Sequence, residues 1–97
     1  MKIFDFLNFG FICGLSTVEE TFLYIRAHSP SIFGYDNFLK KEQEIISELK
    51  RYNFAYDTIG ENGEKVLSFS QISLFSALDV VNCCNCTNLK FSNEVLD

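Results

Sequence analysis

The stretch "NFAYDTIGENGEKVLSFS" (residues 53–70) decides the predicted fold, because the chain changes there from helical to alternating hydrophobicity. Side chains alternate on both sides of Asn62-Gly63, as they do in strands: Phe54, Tyr56 and Thr58 before it, then Val66, Ser68 and Ser70 opposite Leu67 and Phe69 after it. Asn and Gly both tolerate the positive φ angles of a type I′ turn, so this pair is a strong hairpin signal. The sequence therefore predicts a β-hairpin with strands at about 54–59 and 65–69.

A capped helix is predicted well before the hairpin. The sequence "STVE" (16–19) has the pattern of a capping box, with Ser16 as the cap of a helix at 17–28. Pro30 ends this helix near His28, because the residue before a proline disfavours helical geometry. The apolar face is predicted to consist of Val18, Phe22 and Ile25, widened by Leu23 and Tyr24.

A longer helix is predicted at about 37–52, immediately before the hairpin, with Asp36 as its cap after a loop at 29–37. Its charged residues alternate in sign, which is typical of a solvated face rather than of a basic patch. The predicted buried stripe consists of Phe38, Ile45, Leu49 and Tyr52, joined by Leu39 and Ile46.

The two ends of the chain are less regular. The segment Lys2–Phe11 fits neither period cleanly, and we interpret it as a short buried helix that ends at Gly10 or Gly14. A last amphipathic helix is predicted to start at Ser70 or Ser73 and to run to about Cys84. Its predicted inner face consists of Ile72, Phe75, Leu78 and Val81, with Leu74 beside them. These elements define a small single α+β domain over residues 1–97, with three to four helices and one hairpin.

Charge limits the class of partner. The 97-residue chain has 8 Lys and Arg against 13 Asp and Glu, for a formal net charge of −5. A nucleic-acid-binding protein neutralises phosphates with basic side chains, so we expect no nucleic-acid partner. An acidic surface suits a basic protein partner, because complementary potentials speed the encounter. The alternative is that the charge serves only solubility.

The apolar N-terminal stretch does not resemble a targeting segment. Asp5 and Asn8 interrupt it, Lys2 is its only basic residue, and no small-residue cleavage site follows. The stretch is also far shorter than the roughly 20 residues that span a bilayer. We therefore expect a cytoplasmic protein with no membrane association.

The cysteines cluster near the end of the last predicted helix. Three of the four lie in "NCCNC" (82–86), at Cys83, Cys84 and Cys86. A structural zinc site needs four nitrogen or sulfur ligands, and the other candidates, Cys13 and His28, each stand alone in the sequence. A helix C-terminus also disfavours the thiolate of a redox motif. We expect no metal and no cofactor, and we interpret the cysteines as small packing residues. A Cys-based metal or redox protein remains an alternative, and the sequence leaves the oxidation state of the cluster open.

The sequence contains no recognisable catalytic arrangement. His28 is the only histidine, and we interpret it as a helix-terminal residue that the helix dipole favours. Neither a nucleophile motif nor a glycine-rich phosphate loop is present. We therefore predict that the protein is not an enzyme.

Binding is the remaining class of function. Acidic residues lie in predicted turns with tyrosines beside them, and aromatic side chains ringed by carboxylates suit a basic cleft. The predicted partner-binding set is Tyr35, Asp36, Tyr52, Tyr56, Asp57, Glu61 and Glu64. The alternative is that these loops are simply solvated.

The capped helix "GLSTVEETFLYIRAHS" (14–29) and the acidic turn "DTIGENGEKV" (57–66) resemble small bacterial toxin-immunity proteins, of the colicin or contact-dependent growth-inhibition type. This resemblance implies a cytoplasmic, non-catalytic inhibitor that blocks a cognate basic toxin, often a nuclease, in a one-to-one complex. The alternative function is that of a subunit or adaptor that docks through an apolar, phenylalanine-rich face. The sequence leaves the oligomeric state open.

Overall fold

Four helices and one hairpin follow one another along the chain in the order that the sequence predicts. The computed structural model describes residues 3–32 and 37–87, with the backbone only for 84–87. In chain order, the elements are α1 (Ile3–Ile12), α2 (Val18–His28), a 3-10 turn (Ser29–Ser31), α3 (Phe38–Arg51), β1 (Ala55–Ile59), β2 (Lys65–Phe69) and α4 (Leu74–Thr87). The described residues thus form four α-helices and a two-stranded antiparallel sheet, which confirms the α+β prediction.

Helix α1 forms as predicted and Gly14 ends it, but only one face of the helix is buried. Gly14 has φ +75°, a backbone conformation that glycine adopts without a steric cost. Its N–H donates to the Phe11 carbonyl at 3.1 Å, and the Leu15 N–H donates to the Gly10 carbonyl at 3.0 Å. This pair of bonds is a Schellman motif, which satisfies two of the last carbonyls of the helix. The buried face has helical spacing and consists of Ile3, Phe6, Leu7 and Gly10.

Gly10 lies inside α1 because two other helices approach its backbone closely. A Cβ atom at this position would overlap Thr21 Oγ1 of α2 and would lie 2.7 Å from Leu74 Cδ2 of α4. Helix α1 therefore packs against both α2 and α4. Gly10 is not a helix end, and its lack of a side chain lets the three helices meet.

Helix α2 starts one residue later than predicted, because Thr17 and not Ser16 is its cap. Thr17 Oγ1 accepts from the Glu20 N–H at 3.0 Å, and the Thr17 carbonyl accepts the first intrahelical bond from Thr21. The Ser16 carbonyl instead accepts from the Leu74 N–H at 3.1 Å, so it is not available to begin the helix. The predicted end at His28 is confirmed, and the 3-10 turn with Pro30 follows. Leu23 and Tyr24, which were expected to widen the inner face, are exposed.

Helix α3 buries Phe38, Ile45 and Leu49, as predicted. Leu39 is 55% exposed, so its predicted place in the buried stripe is wrong. The helix begins at Phe38 after Asn37, and the predicted cap Asp36 lies outside the described residues. Across the helix interface, Arg26 Nε of α2 lies 3.0 Å from Glu42 Oε1 of α3.

The hairpin has the predicted strands, in a register that runs from Ala55 opposite Phe69 to Ile59 opposite Lys65. Its turn differs from the prediction. The Gly63 N–H donates to the Gly60 carbonyl at 3.0 Å, and the Gly60 N–H donates to the Glu64 carbonyl at 2.7 Å. Gly63 has φ +80°, whereas Asn62 does not have a positive φ. A three-residue loop with a glycine bulge therefore replaces the predicted type I′ turn.

Helix α4 begins after Ser73, whose Oγ accepts from the Ser76 N–H at 3.2 Å. Its buried residues are Leu74, Ala77 and Val81, whereas Phe75 is 66% exposed. The prediction that Phe75 lies on the inner face is wrong, because Leu74 is the residue that packs against Gly10 of α1. The helix also continues three residues past the predicted end, to Thr87.

The buried side chains form one cluster that joins the helices to the hairpin. Phe6, Phe38 and Phe54 are the largest side chains that are fully buried. Phe22 of α2 contacts both α3 and β2, because its ring centroid lies 5.6 Å from that of Phe38 and 5.5 Å from that of Phe69. Aromatic pairs at these distances add about 0.5–1.5 kcal/mol to the burial of their area.

Candidate binding surfaces

The predicted partner-binding set is divided by the structure. Tyr35 and Asp36 lie outside the described residues. The remaining five residues lie at the end of α3 and on the hairpin, but they do not share one face. Their contacts within the chain differ, and so does their access to a partner.

One face of the hairpin points away from α3, and we call it the outer hairpin face (Tyr56, Thr58, Glu64, Val66 and Ser68). Alternate residues of a strand share a face, and the register puts Tyr56 opposite Ser68 and Thr58 opposite Val66. Tyr56 is 49% exposed and Val66 is 38% exposed. Between them, Thr58 Oγ1 and Ser68 Oγ form a hydrogen bond of 2.9 Å that fixes the two strands.

Asp57 lies on the opposite face of the strand and turns towards α3. Its Oδ2 accepts from Lys50 Nζ at 2.8 Å, and Lys65 Nζ lies 3.9 Å away. The hydrogen bond from Lys50 and the charges of both lysines hold the pKa of the Asp57 carboxyl below its ordinary value. Asp57 therefore joins the hairpin to α3, and its charge is already compensated within the chain.

Tyr52 is half-buried at the end of α3 and packs within the chain. Its ring stacks on Phe54 at a centroid distance of 6.2 Å. The Arg51 guanidinium carbon lies 5.3 Å from the centroid of the same ring, within the range of a cation–π interaction. Because Tyr52 precedes the strand and lies against the core, it does not continue the outer hairpin face.

Two carboxylates lie at the tip of the hairpin. Glu61 and Glu64 are both exposed. Glu64 Oε2 accepts from the Asn62 N–H at 3.0 Å, and the carboxylate lies over Gly60, where a side chain would displace it. The Glu64 carboxylate is thus held at the tip of the outer hairpin face, beside Val66, whereas Tyr56 lies opposite Ser68 near the other end of the strands.

The cysteine cluster lies in the second half of α4, near its C-terminal end, as expected. Cys83 is exposed, so its interpretation as a packing residue is wrong, and the side chains of Cys84 and Cys86 are not described.

Cys13 is also exposed. Cys13 lies two residues after Phe11, whose ring contacts Phe75 at the start of α4. Cys83 lies eight residues after Phe75, which corresponds to about 12 Å along the helix. This separation excludes a disulfide between Cys13 and Cys83. Among the side chains described, no group of three His, Cys, Asp or Glu residues could hold a metal ion.

His28 contacts its own helix. Its imidazole stacks on the Tyr24 ring at a centroid distance of 4.4 Å, and its Nδ1 lies 3.0 Å from the Tyr24 carbonyl. The imidazole of His28 thus lies against the preceding turn of α2. This contact agrees with the interpretation of His28 as a helix-terminal residue.

A second surface was missed by the sequence analysis. The rings of Phe11 and Phe75 lie 6.4 Å apart between α1 and α4, and both are more than half exposed. Ile12 beside them is 73% exposed, and Phe4 is 36% exposed. We call these four residues the α1–α4 face. The sequence signal was the spacing of Phe4 and Phe11, which are seven residues apart and therefore lie on one side of a helix.

Comparison with protein-family models, with curated proteins and with solved structures gave no match. Within the part of the chain that the structure describes, none of the helices combines the length and the hydropathy that crossing a membrane requires.

Proposed function

We propose that this chain is a non-catalytic binding protein that neutralises a basic protein partner, in the manner of an immunity protein. The outer hairpin face carries this proposal, because it has an exposed tyrosine, Tyr56, on the strand and a carboxylate, Glu64, that is held at the tip, where Glu61 is also exposed. Tyrosine is enriched at interfaces because it offers a large contact area and a hydroxyl group at a small cost in side-chain entropy.

The hairpin is well suited to binding without a change in shape. Its two strands are joined by the Thr58–Ser68 hydrogen bond, and Asp57 ties the sheet to Lys50 of α3. A surface that is already fixed loses less conformational entropy when it binds. The contact residues that we propose are therefore Tyr56, Glu61 and Glu64 rather than the whole set expected from the sequence.

The charge of the chain indicates the class of partner. A net charge of −5 and the carboxylates at the tip would attract a basic protein over the distance of a Debye length, about 8 Å at physiological salt. A nuclease presents a basic cleft to its polyanionic substrate, and an acidic hairpin could occupy such a cleft. Because a toxin of this kind must be blocked inside the cell that makes it, the proposal places the complex in the cytoplasm.

Capture from the native host tests this proposal. The tagged full-length chain should retain a basic protein in a one-to-one complex, and the purified partner should lose its activity when the chain is added. Binding measured by calorimetry should weaken strongly between about 0.05 M and 0.5 M NaCl, because surface charges are screened. Tyr56→Ser should weaken binding by about tenfold or more, as truncation of an interface tyrosine commonly does.

Two matched variants sharpen this test. Glu61→Gln with Glu64→Gln should weaken binding at low salt and flatten its salt dependence, because the charges that steer the partner are removed. Phe75→Gln, on the α1–α4 face, should leave this binding unchanged. A partner whose affinity responds neither to salt nor to Tyr56→Ser would overturn the proposal.

A further inference from the structure

The α1–α4 face (Phe4, Phe11, Ile12 and Phe75) lies on a different part of the molecule from the outer hairpin face. The C-terminal end of α1 meets the beginning of α4, because Phe11 contacts Phe75 and Gly10 contacts Leu74. The two helices pack along each other and are therefore antiparallel. The hairpin, in contrast, packs on α3.

The exposed side chains of the face form a short apolar ridge. Phe11 is 52% exposed and Phe75 is 66% exposed, although their rings contact each other. On α1, Phe4 lies two turns before Phe11 on the same side of the helix. On α4, the half-buried Leu78 lies one turn after Phe75 and extends the ridge. Contiguous exposed apolar area of this kind marks interaction sites more often than isolated apolar residues do.

The charge around the face has one sign. Among the described residues of α1 and α4, the only charged side chains are those of Asp5 and Asp79. The Thr17–Ser73 bridge also brings the first turn of α2, with Glu19 and Glu20, to the end of the face where α4 begins. The basic residues that the structure describes lie elsewhere, on α2, α3 and β2: Arg26, Lys40, Lys41, Lys50, Arg51 and Lys65. A partner with basic residues beside its apolar ones fits this distribution.

The size of the face indicates what it can hold. Its four side chains expose roughly 400 Å², taking about 200 Å² for a whole phenylalanine side chain. A stable interface between two proteins buries about 800 Å² on each partner, so this ridge is too small to hold a second copy by itself. A second copy would also bring a like charge of −5 to the acidic rim. A single helix covers an area of the right size.

We propose that the α1–α4 face binds one amphipathic helix of a partner protein. The apolar residues of this helix, at i, i+3 or i+4, and i+7, lie against Phe11 and Phe75, and its Lys and Arg residues lie towards Asp79, Glu19 and Glu20. The site is independent of the outer hairpin face, so the failure of one proposal leaves the other standing.

A synthetic peptide tests the site on the full-length chain. The probe is a fluorescent peptide of about 18 residues, or five helical turns, with leucines at helical spacing and lysines elsewhere. Two control peptides carry glutamates in place of the lysines, or the same residues in an order that destroys the apolar stripe. Fluorescence anisotropy should show saturable binding of the probe and about tenfold weaker binding of either control.

Variants of the chain locate the binding. Phe11→Gln with Phe75→Gln should weaken binding of the probe by about tenfold, because both apolar contacts are lost. Thermal unfolding should show that this variant remains folded, since both residues are largely exposed and glutamine is a good helix former. Asp79→Asn should weaken binding by about threefold at low salt and by less at high salt. Tyr56→Gln, on the outer hairpin face, should leave binding unchanged.

Several results would overturn the proposal. The first is equal binding of the lysine and glutamate peptides, because the rim would then select no charge. The second is probe binding that survives loss of Phe11 and Phe75. The third is a concentration-dependent dimer, seen by analytical ultracentrifugation, that disappears in the same variant, because the face would then belong to a second copy. The absence of any saturable probe binding is the fourth.

Discussion

Thr17 and Ser73, the cap residues of α2 and α4, pair with each other in an antiparallel β-bridge. Beside this bridge, the Leu74 N–H donates to the Ser16 carbonyl at 3.1 Å. The starts of two helices that are distant in the sequence are therefore tied together. At this tie, Leu74 turns inwards to Gly10 of α1, and Phe75 beside it is exposed on the α1–α4 face.

The first prediction concerns the cap of α2. Thr17→Ala should lower the free energy of unfolding by about 1 kcal/mol, within the usual range for loss of an N-cap side chain. The cause is the loss of the bond that Thr17 Oγ1 accepts from the Glu20 N–H at 3.0 Å. Urea denaturation of the full-length chain measures this change.

Ser16→Ala is the matched control for Thr17→Ala. Ser16 Oγ donates to the exposed Glu20 carboxylate at 2.7 Å, and Ser16 uses its carbonyl, which alanine keeps, in the bridge to Leu74. We expect this variant to lose less than half as much stability as Thr17→Ala. A larger loss for Ser16→Ala than for Thr17→Ala would show that Ser16 is the cap of α2, as in the capping box that the sequence predicts.

The second prediction concerns the crossing of the helices at Gly10. Alanine is the better helix former by about 1 kcal/mol, so helix propensity alone predicts that Gly10→Ala is stabilising. We expect the opposite, a loss of about 1–3 kcal/mol, because the new methyl group would overlap Thr21 Oγ1 and crowd Leu74. Thermal and urea unfolding of the variant would give the sign directly.

A double-mutant cycle tests the cause of that loss. Thr21→Ala by itself should be destabilising, because Thr21 is fully buried and its Oγ1 donates to the Thr17 carbonyl at 3.1 Å. In the Thr21→Ala background, the methyl group of Gly10→Ala no longer meets Thr21 and crowds only Leu74, so the double variant should lose less than the sum of the two single variants. Simple additivity of the two changes would contradict a direct contact.

Local signals in the sequence predicted most of the elements, and contacts between distant residues account for what it missed. Pro30 marks the end of α2, and alternation marks both strands, because these signals act within a few residues. The face of α4 that is buried includes Leu74, which packs against Gly10, a residue more than sixty positions earlier in the sequence. Periodicity could therefore identify the helix, but it could not show whether Leu74 or Phe75 lies on the buried face of α4.

The candidate site was predictable only in part, for the same reason. Two-residue alternation places Tyr56 and Asp57 on opposite faces of a strand, so their separation could have been read from the sequence. The ion pair of Asp57 with Lys50 could not, because it requires the packing of the hairpin on α3. No local pattern showed which carboxylates were already compensated within the chain.

The third prediction concerns the hairpin turn. Gly63 has φ +80°, which costs a residue with a side chain about 1–2 kcal/mol, so Gly63→Ala should lower the free energy of unfolding by about that amount. Asn62→Ala should cost little, because Asn62 does not have a positive φ and its backbone N–H still donates to Glu64. In a type I′ turn both positions would have a positive φ, and both variants would be costly. Equal losses in urea denaturation would therefore contradict the three-residue loop.

The fourth prediction concerns the cysteines. Cys13 and Cys83 are exposed, so both thiols should react with iodoacetamide in the folded protein. Mass spectrometry of tryptic peptides would locate the adducts, and native mass spectrometry would show whether the untreated chain carries a metal ion. Protection of Cys83, together with a bound metal, would favour the alternative of a Cys-based metal protein.

The fifth prediction concerns the pH dependence of stability at Asp57. Lys50 donates to its carboxylate at 2.8 Å, which holds the pKa below the ordinary value of 3.8. A lowered pKa in the folded state means that the ionised carboxylate favours folding at pH values above 3.8. This contribution disappears as the pH falls through the lowered pKa. Asp57→Asn should therefore destabilise the chain at neutral pH, and the difference from the wild type should shrink in acid.

Two further measurements isolate the cause of the Asp57 effect. Lys50→Gln should raise the pKa of Asp57 towards 3.8 in an NMR titration, because the hydrogen bond from Lys50 is its largest perturbation. Lys65→Gln should raise the pKa less, since Lys65 Nζ lies 3.9 Å away and contributes charge alone. Added salt should narrow both differences, because the group is exposed to solvent. A wild-type pKa at or above 3.8 would show that Asp57 is not held by Lys50 in solution, and its carboxylate would then be available to the basic partner.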